Sequence, residues 1–195
     1  MVFGHIFISN SMNSAFKSFF QIQNILSGTI LFYHKPRLRY IMLSLLTFIA
    51  VMELLGFLGV IIDQSTITGP LYVLYFFLIS AFLYRKIFKS DRVGSEMLAA
   101  VFSGFIILCL IFSFVFMSIE INQPGSFSNL DGNGGLYQDL QYFSFITALT
   151  IGYGDIFPTS IIAKNGAVLL GLVGNFYTVF ITAIVIGKFL KEKEG

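Results

Sequence analysis

The sequence predicts an all-α membrane protein with four transmembrane helices and one short re-entrant helix. Three observations lead there. Hydrophobic residues make up 56% and charged residues 11% of the 195-residue chain, against roughly 45–50% and 25% in soluble domains. Four apolar runs, at about 40–62, 67–84, 97–119 and 161–190, approach or exceed the roughly 20 residues that a crossing requires. Between the last two lies 139–149, apolar but too short to cross, which leads directly into Thr150-Ile151-Gly152-Tyr153-Gly154-Asp155.

The composition also narrows the partners. A formal charge of +2 is too small to suggest nucleic acid, and the basic residues cluster in short segments between apolar runs. Cys109, the single cysteine, sits inside an apolar run, which points to packing and leaves no internal disulfide. With His5 and His34 isolated, no recognisable metal or nucleophile centre emerges, so an enzyme is the weakest functional class. No basic segment precedes a short apolar core and small-residue cleavage site, so the first spanning helix is expected to act as its own insertion signal.

Taken in order, residues 1–39 form an amino-terminal interfacial or cytoplasmic segment. Phe16, Phe19, Phe20, Ile22, Ile25 and Leu26 recur at roughly helical spacings among polar residues, as in a helix lying in the membrane interface. An extra crossing and a partner-bound segment are the alternatives. The unit 40–96 is a two-helix transmembrane hairpin with a cytoplasmic linker. Its first span, Tyr40–Ile62, carries one charge, Glu53. A carboxylate at that depth costs about 2.5–3.5 kcal/mol unless protonated, paired or wetted, which makes Glu53 a functional candidate. Satisfaction by a neighbouring helix is the competing explanation. The loop 63–69 makes the next helix an antiparallel neighbour, with Pro70 suited to its first turn.

The second span, 67–84, ends at Arg85-Lys86 and has no repeated arginines. Voltage sensing needs several charges moving through the field, so no intrinsic voltage-sensing helix is expected. Residues 85–96 form a short cytoplasmic connector, and 97–119 is the third span, with Ala99, Ala100, Ser103 and Gly104 suited to close helix contact. Of the twelve Lys and Arg, all but Lys164 fall on one side if the chain crosses four times with both termini cytoplasmic. Asp63, Glu120, Asp131, Asp139 and Asp155 gather on the other.

Residues 120–137, rich in Gly, Asn and Ser, should form an irregular outer loop whose acids concentrate cations. Asp139 suits the positive end of the helix that follows. That helix, 139–149, is permitted at membrane depth only where protein or water satisfies its ends. In the next run two glycines flank a tyrosine, so the backbone can turn successive carbonyls to the same side. Four such segments on one axis would let the carbonyls of Thr150, Ile151, Gly152 and Tyr153, with the Thr150 hydroxyl, replace the water around a potassium ion.

The run TIGYGD behind Tyr142-Phe143-Ser144-Phe145-Ile146-Thr147 resembles the pore helix and selectivity filter of tetrameric potassium channels, and the likeness covers about 97–190. It implies a homotetramer, potassium as the permeant ligand, no cofactor, and filter support from Gly154 and Asp155. Tyr142 and Phe143 stand where relatives often carry two tryptophans; Tyr142, which alone keeps a polar tip, is expected to reach Asp155. Ile146 replaces a glutamate found in some relatives, and Leu149 the frequent first threonine. Phe157 matches a ring position able to hold quaternary ammonium by cation–π contact, with lipid contact or packing as the alternative.

The span 161–190 resembles the pore-lining inner helix. Asn175, Thr178 and Thr182 recur at i, i+3 and i+7 and share a face, suited to a wet cavity or to interhelical hydrogen bonds. The resemblance makes Gly174 a bending position, and Ile186 below it is a candidate hydrophobic constriction. Residues 191–195 are a cytoplasmic tail with no attached ligand-binding domain expected. The expectation is a passive potassium channel subunit in the cell membrane, in contact with lipid and with a possible regulatory partner at 1–96. A non-conducting receptor or accessory subunit is the rival, and an active transporter ranks third.

Overall fold

The computed structural model describes residues 36–57, 64–89, 94–130 and 135–194. The expected interfacial helix at 1–33, Asp63 and Asp131 lie outside the described residues, as does the side chain of Glu53. The chain divides into two units, 1–64 and 65–195.

In the first unit, helix α1 spans Pro36–Phe57. Proline opens it, where its missing N–H has no helical partner to lose. Met42, Leu46 and Ile49 are buried at i, i+4 and i+7, whereas Tyr40, Ile41, Phe48 and Val51 are exposed, so one stripe of an apolar helix is covered.

The second unit begins with α2, Gln64–Lys89. This corrects two expectations. The helix starts inside the loop expected at 63–69, and Pro70 lies well within it rather than in its first turn. Gln64, Ser65 and Thr66 add a polar turn with no apolar periodicity to announce it. At the other end, Arg85, Lys86 and Lys89 continue the helix instead of forming a connector, and cations suit that end of its dipole. Tyr72, Tyr75, Phe76, Ile79 and Ser80 form its buried stripe.

Helix α3, Ser95–Asn122, is long and apolar enough to cross a membrane. It stops before Pro124, which disfavours helical backbone at Gln123, where φ is −136° and ψ is 82°. Strand β1, Phe127–Ser128, precedes helix α4, Leu136–Ala148, the short helix expected at 139–149. Strand β2, Phe157–Pro158, pairs antiparallel with β1. Helix α5, Ile161–Glu194, is the second of membrane-crossing length and absorbs the expected tail, because Lys and Glu are good helix formers. The apolar stretches Tyr40–Met52 and Gly69–Ala81 in α1 and α2 are shorter.

Helices α3, α4 and α5 pack on one another around a core that includes Leu108, Cys109, Phe112, Leu140 and Leu170. At its centre Phe116, Phe127 and Phe143 meet edge to face, with ring centroids 5.3–5.4 Å apart. Each such pair adds about 0.5–1.5 kcal/mol beyond area burial. Three elements that differ in sequence position are thereby locked at one point. Below them Ser144 and Ser113 both donate to the Cys109 carbonyl, at 2.7 and 2.8 Å, tying α4 to α3 in a buried setting. Tyr72 of α2 stacks on Phe114 at 4.8 Å, and Phe114 meets Tyr137 of α4 at 4.9 Å. Lower down, the Tyr177 hydroxyl of α5 donates to the Val101 carbonyl of α3 at 2.6 Å. Gly104 makes room for it, since a Cβ there would lie 2.7 Å from the Tyr177 oxygen.

Candidate functional site

The carboxyl end of α4 passes without a break into the run 150–155. Thr150 N–H donates to the Thr147 carbonyl at 3.1 Å, and the N–H groups of Ile151 and Gly152 both reach the Ile146 carbonyl, at 2.9 and 3.3 Å. The helix end therefore fixes where the run begins. Ile146 itself is buried, and Leu149 is half exposed.

Along the run, φ is positive at Thr150 (58°), Gly152 (58°) and Gly154 (79°), but not at Ile151 or Tyr153. Left-handed φ at every second residue is the kind of alternation that lets consecutive peptides turn the same edge to one side. Glycine adopts the left-handed region freely. Thr150 does so as a β-branched residue, for which that region is a genuine outlier, and nothing in the sequence announced it. The side chains of Ile151 and Tyr153 are 48% and 72% exposed, an unusual state for large groups in a well-defined segment.

Asp155 is gripped twice. The Tyr142 hydroxyl donates to its Oδ2 at 2.7 Å, so the α4 tyrosine singled out in the sequence does meet this carboxylate. That donor, helped by backbone N–H groups, holds the Asp155 carboxyl below the usual carboxylate range. The second grip was not anticipated: Asn129 Nδ2 donates to the Asp155 carbonyl at 2.8 Å. The residues around Asn129 are themselves anchored. Glu120 accepts from Gly125 N–H at 2.7 Å and Phe127 N–H at 2.9 Å, one bond per carboxylate oxygen. Glu120 thus braces the loop, a structural use that its grouping with the cation-concentrating acids did not foresee. Thr159 N–H donates to the Ser126 carbonyl at 2.8 Å and its hydroxyl to the Gly125 carbonyl. Phe157 lies in β2, opposite Ser128, and is 45% exposed.

Beyond β2, Ser160 caps α5 by accepting from Ala163 N–H at 3.2 Å. Gly166 lets that helix approach the Phe116 ring, from which a Cβ would stand 3.0 Å. Gly174 faces Ala148, the last residue of α4: a Cβ there would lie 3.1 Å from the Ala148 carbonyl oxygen and 3.3 Å from its Cα. Close approach to the base of the 150–155 run is therefore a role for Gly174 that requires no bend. Asn175, Thr178, Thr182 and Ile186 are all exposed within the single chain. The Thr178 and Thr182 hydroxyls bond the carbonyls of Gly174 and Thr178, at 3.1 and 2.7 Å, so each is satisfied by its own helix. Exposure along α5 includes Val168, Leu172, Phe176, Val179 and Phe180.

No curated protein and no solved structure is detectably similar to the chain. Residues 104–191, from within α3 through most of α5, match a protein-family model described as ion channel, and the match supports a two-helix, potassium-channel-like pore domain over those residues.

Proposed function

We propose that the chain is one subunit of a homotetrameric, potassium-selective channel that conducts passively across the cell membrane. The observation that carries the proposal is the alternation of φ at Thr150, Gly152 and Gly154 around Ile151 and Tyr153. One such ribbon offers oxygens from a single side. Four around an axis would enclose an ion with the carbonyls of Thr150, Ile151, Gly152 and Tyr153 and the Thr150 hydroxyl. One run per chain makes fourfold closure the requirement. The exposed apolar face of α5 supports the same reading, since in an assembly it would meet other copies rather than water. Asn175, Thr178, Thr182 and Ile186 then line the cavity and its inner constriction.

In this reading α1 and α2 complete four crossings with both termini in the cytoplasm, and residues 1–96 receive lipid or a regulatory partner. Glu53 is the intramembrane carboxylate to test within that unit. The purified full-length chain in liposomes distinguishes a channel from a non-conducting receptor. A potassium gradient should drive flux that barium blocks, and absence of flux would favour the receptor.

Tyr142 gives a pH-dependent expectation. Its hydroxyl favours the ionised Asp155 carboxylate, so the wild-type carboxyl gains a proton only below the ordinary range. Tyr142→Phe removes the largest cause of that shift and moves the titration upward. Currents through the Phe variant should lose stability at a higher external pH than wild-type currents. Coincident pH profiles would show that the bond does not act on the filter.

A further inference from the structure

We infer that Asn129 is a positioning residue for the outer end of the filter, holding the Asp155 carbonyl so that the loop base and the filter exit move as one body. This inference rests on the potassium-channel reading.

Asn129 has φ 61°, a left-handed backbone uncommon outside glycine and best tolerated by asparagine. Its side chain spends that conformation on one contact, the 2.8 Å bond from Nδ2 to the Asp155 carbonyl, 26 residues further along the chain. The platform is tied at several points. Asn129 directly follows β1, whose two residues pair with Phe157 and Pro158 just beyond the filter. Glu120, at the end of α3, closes both carboxylate oxygens on the same loop, and Thr159 clasps it from the other side.

Asp155 is consequently held at two places on one residue: Tyr142 takes the carboxylate and Asn129 the main-chain oxygen. The first bond fixes the side chain. The second fixes the plane of the peptide that leaves the filter, because a carbonyl engaged by a donor cannot rotate without losing it. A carbonyl so engaged is also withdrawn from the ion path, which ends the column of coordinating oxygens before Asp155. An ion inside the filter draws its carbonyls inward, and a vacant filter leaves them to repel one another. The Asn129 bond should therefore matter most when external potassium is low.

The test uses the full-length tetramer in planar bilayers with two variants. Asn129→Gly keeps the left-handed backbone accessible and removes the donor; Asn129→Asp keeps the side-chain shape and replaces the amide by an acceptor. Both should assemble and select potassium. Their currents should decay faster than wild type during sustained conduction in low external potassium, by about fivefold or more for one lost hydrogen bond per subunit. Raising external potassium should slow the decay. Currents as durable as wild type in both variants would overturn the inference, and so would loss of assembly in both, which would make Asn129 a folding residue. If the wild-type protein itself carries no potassium, the channel reading fails first, whatever the variants do.

Discussion

Gly152→Ala should abolish potassium flux while leaving the chain able to fold and assemble. Gly152 has φ 58°, and among the described residues no atom beyond Gly152 and its two chain neighbours lies within 4 Å of where its Cβ would stand. The substitution therefore acts through backbone conformation and not through a clash within the subunit. An L-residue in the left-handed region costs about 1–2 kcal/mol, hence roughly 4–8 kcal/mol for four copies around one axis. Each 1.4 kcal/mol is about tenfold in a population, so the alternating conformation would be displaced in most assembled pores. The expected loss of flux is at least roughly 100-fold, with the oligomer still recovered by size. Flux near the wild-type level would mean that the positive φ is dispensable and that the oxygens of this run do not form the ion path.

Gly174→Ala should have the second largest effect, and its character separates packing from bending. The added methyl would press on the carbonyl oxygen and Cα of Ala148, at 3.1 and 3.3 Å. Backbone cannot swing aside as a flexible side chain can, so either α5 retreats or the end of α4 shifts with the residues it launches. Overpacking of this kind costs about 1–3 kcal/mol per site. On the proposed function, the tetramer should dissociate at a lower temperature than wild type, and potassium selectivity should weaken together with stability. Gly171→Ala is the control, because among the described residues a Cβ there meets nothing within 4 Å beyond its own helix backbone and chain neighbours. If Gly174→Ala altered only opening and closing rates, with stability and selectivity unchanged, bending would be its role and the contact with Ala148 incidental.

Much of this site was legible because its determinants are local. A short apolar helix, two glycines two residues apart and an aspartate lie within 20 consecutive positions, and their order alone places a helix end against a glycine-rich ribbon. The Tyr142–Asp155 contact spans only 13 residues and joins the only polar-tipped aromatic of the pair to the carboxylate that ends the 150–155 run. Other features depended on partners distant in sequence. Asn129 and Asp155 are 26 residues apart, and Asn129 stands in a loop whose many polar residues look interchangeable in one dimension. Its one available signal was the tolerance of asparagine for positive φ. Glu120 was read as one acid among several because its two N–H partners exist only after the loop has folded. The left-handed Thr150 gave no signal at all, since threonine avoids that conformation elsewhere. Gly104 looked like a generic small residue, whereas its partner Tyr177 comes from a helix 73 positions away. Helix ends misled for a different reason: the Lys–Glu end of α5 extends its helix through propensity rather than apolar periodicity, and the polar turn before Pro70 carries neither signal.

The most direct measurement is the reversal potential of the reconstituted full-length protein with potassium on one side of a bilayer and sodium on the other. A ring of carbonyl oxygens from Thr150 to Tyr153 predicts a reversal potential close to the potassium limit, abolished with the current in Gly152→Ala. A reversal potential near zero, with sodium carried as readily as potassium, would contradict the account.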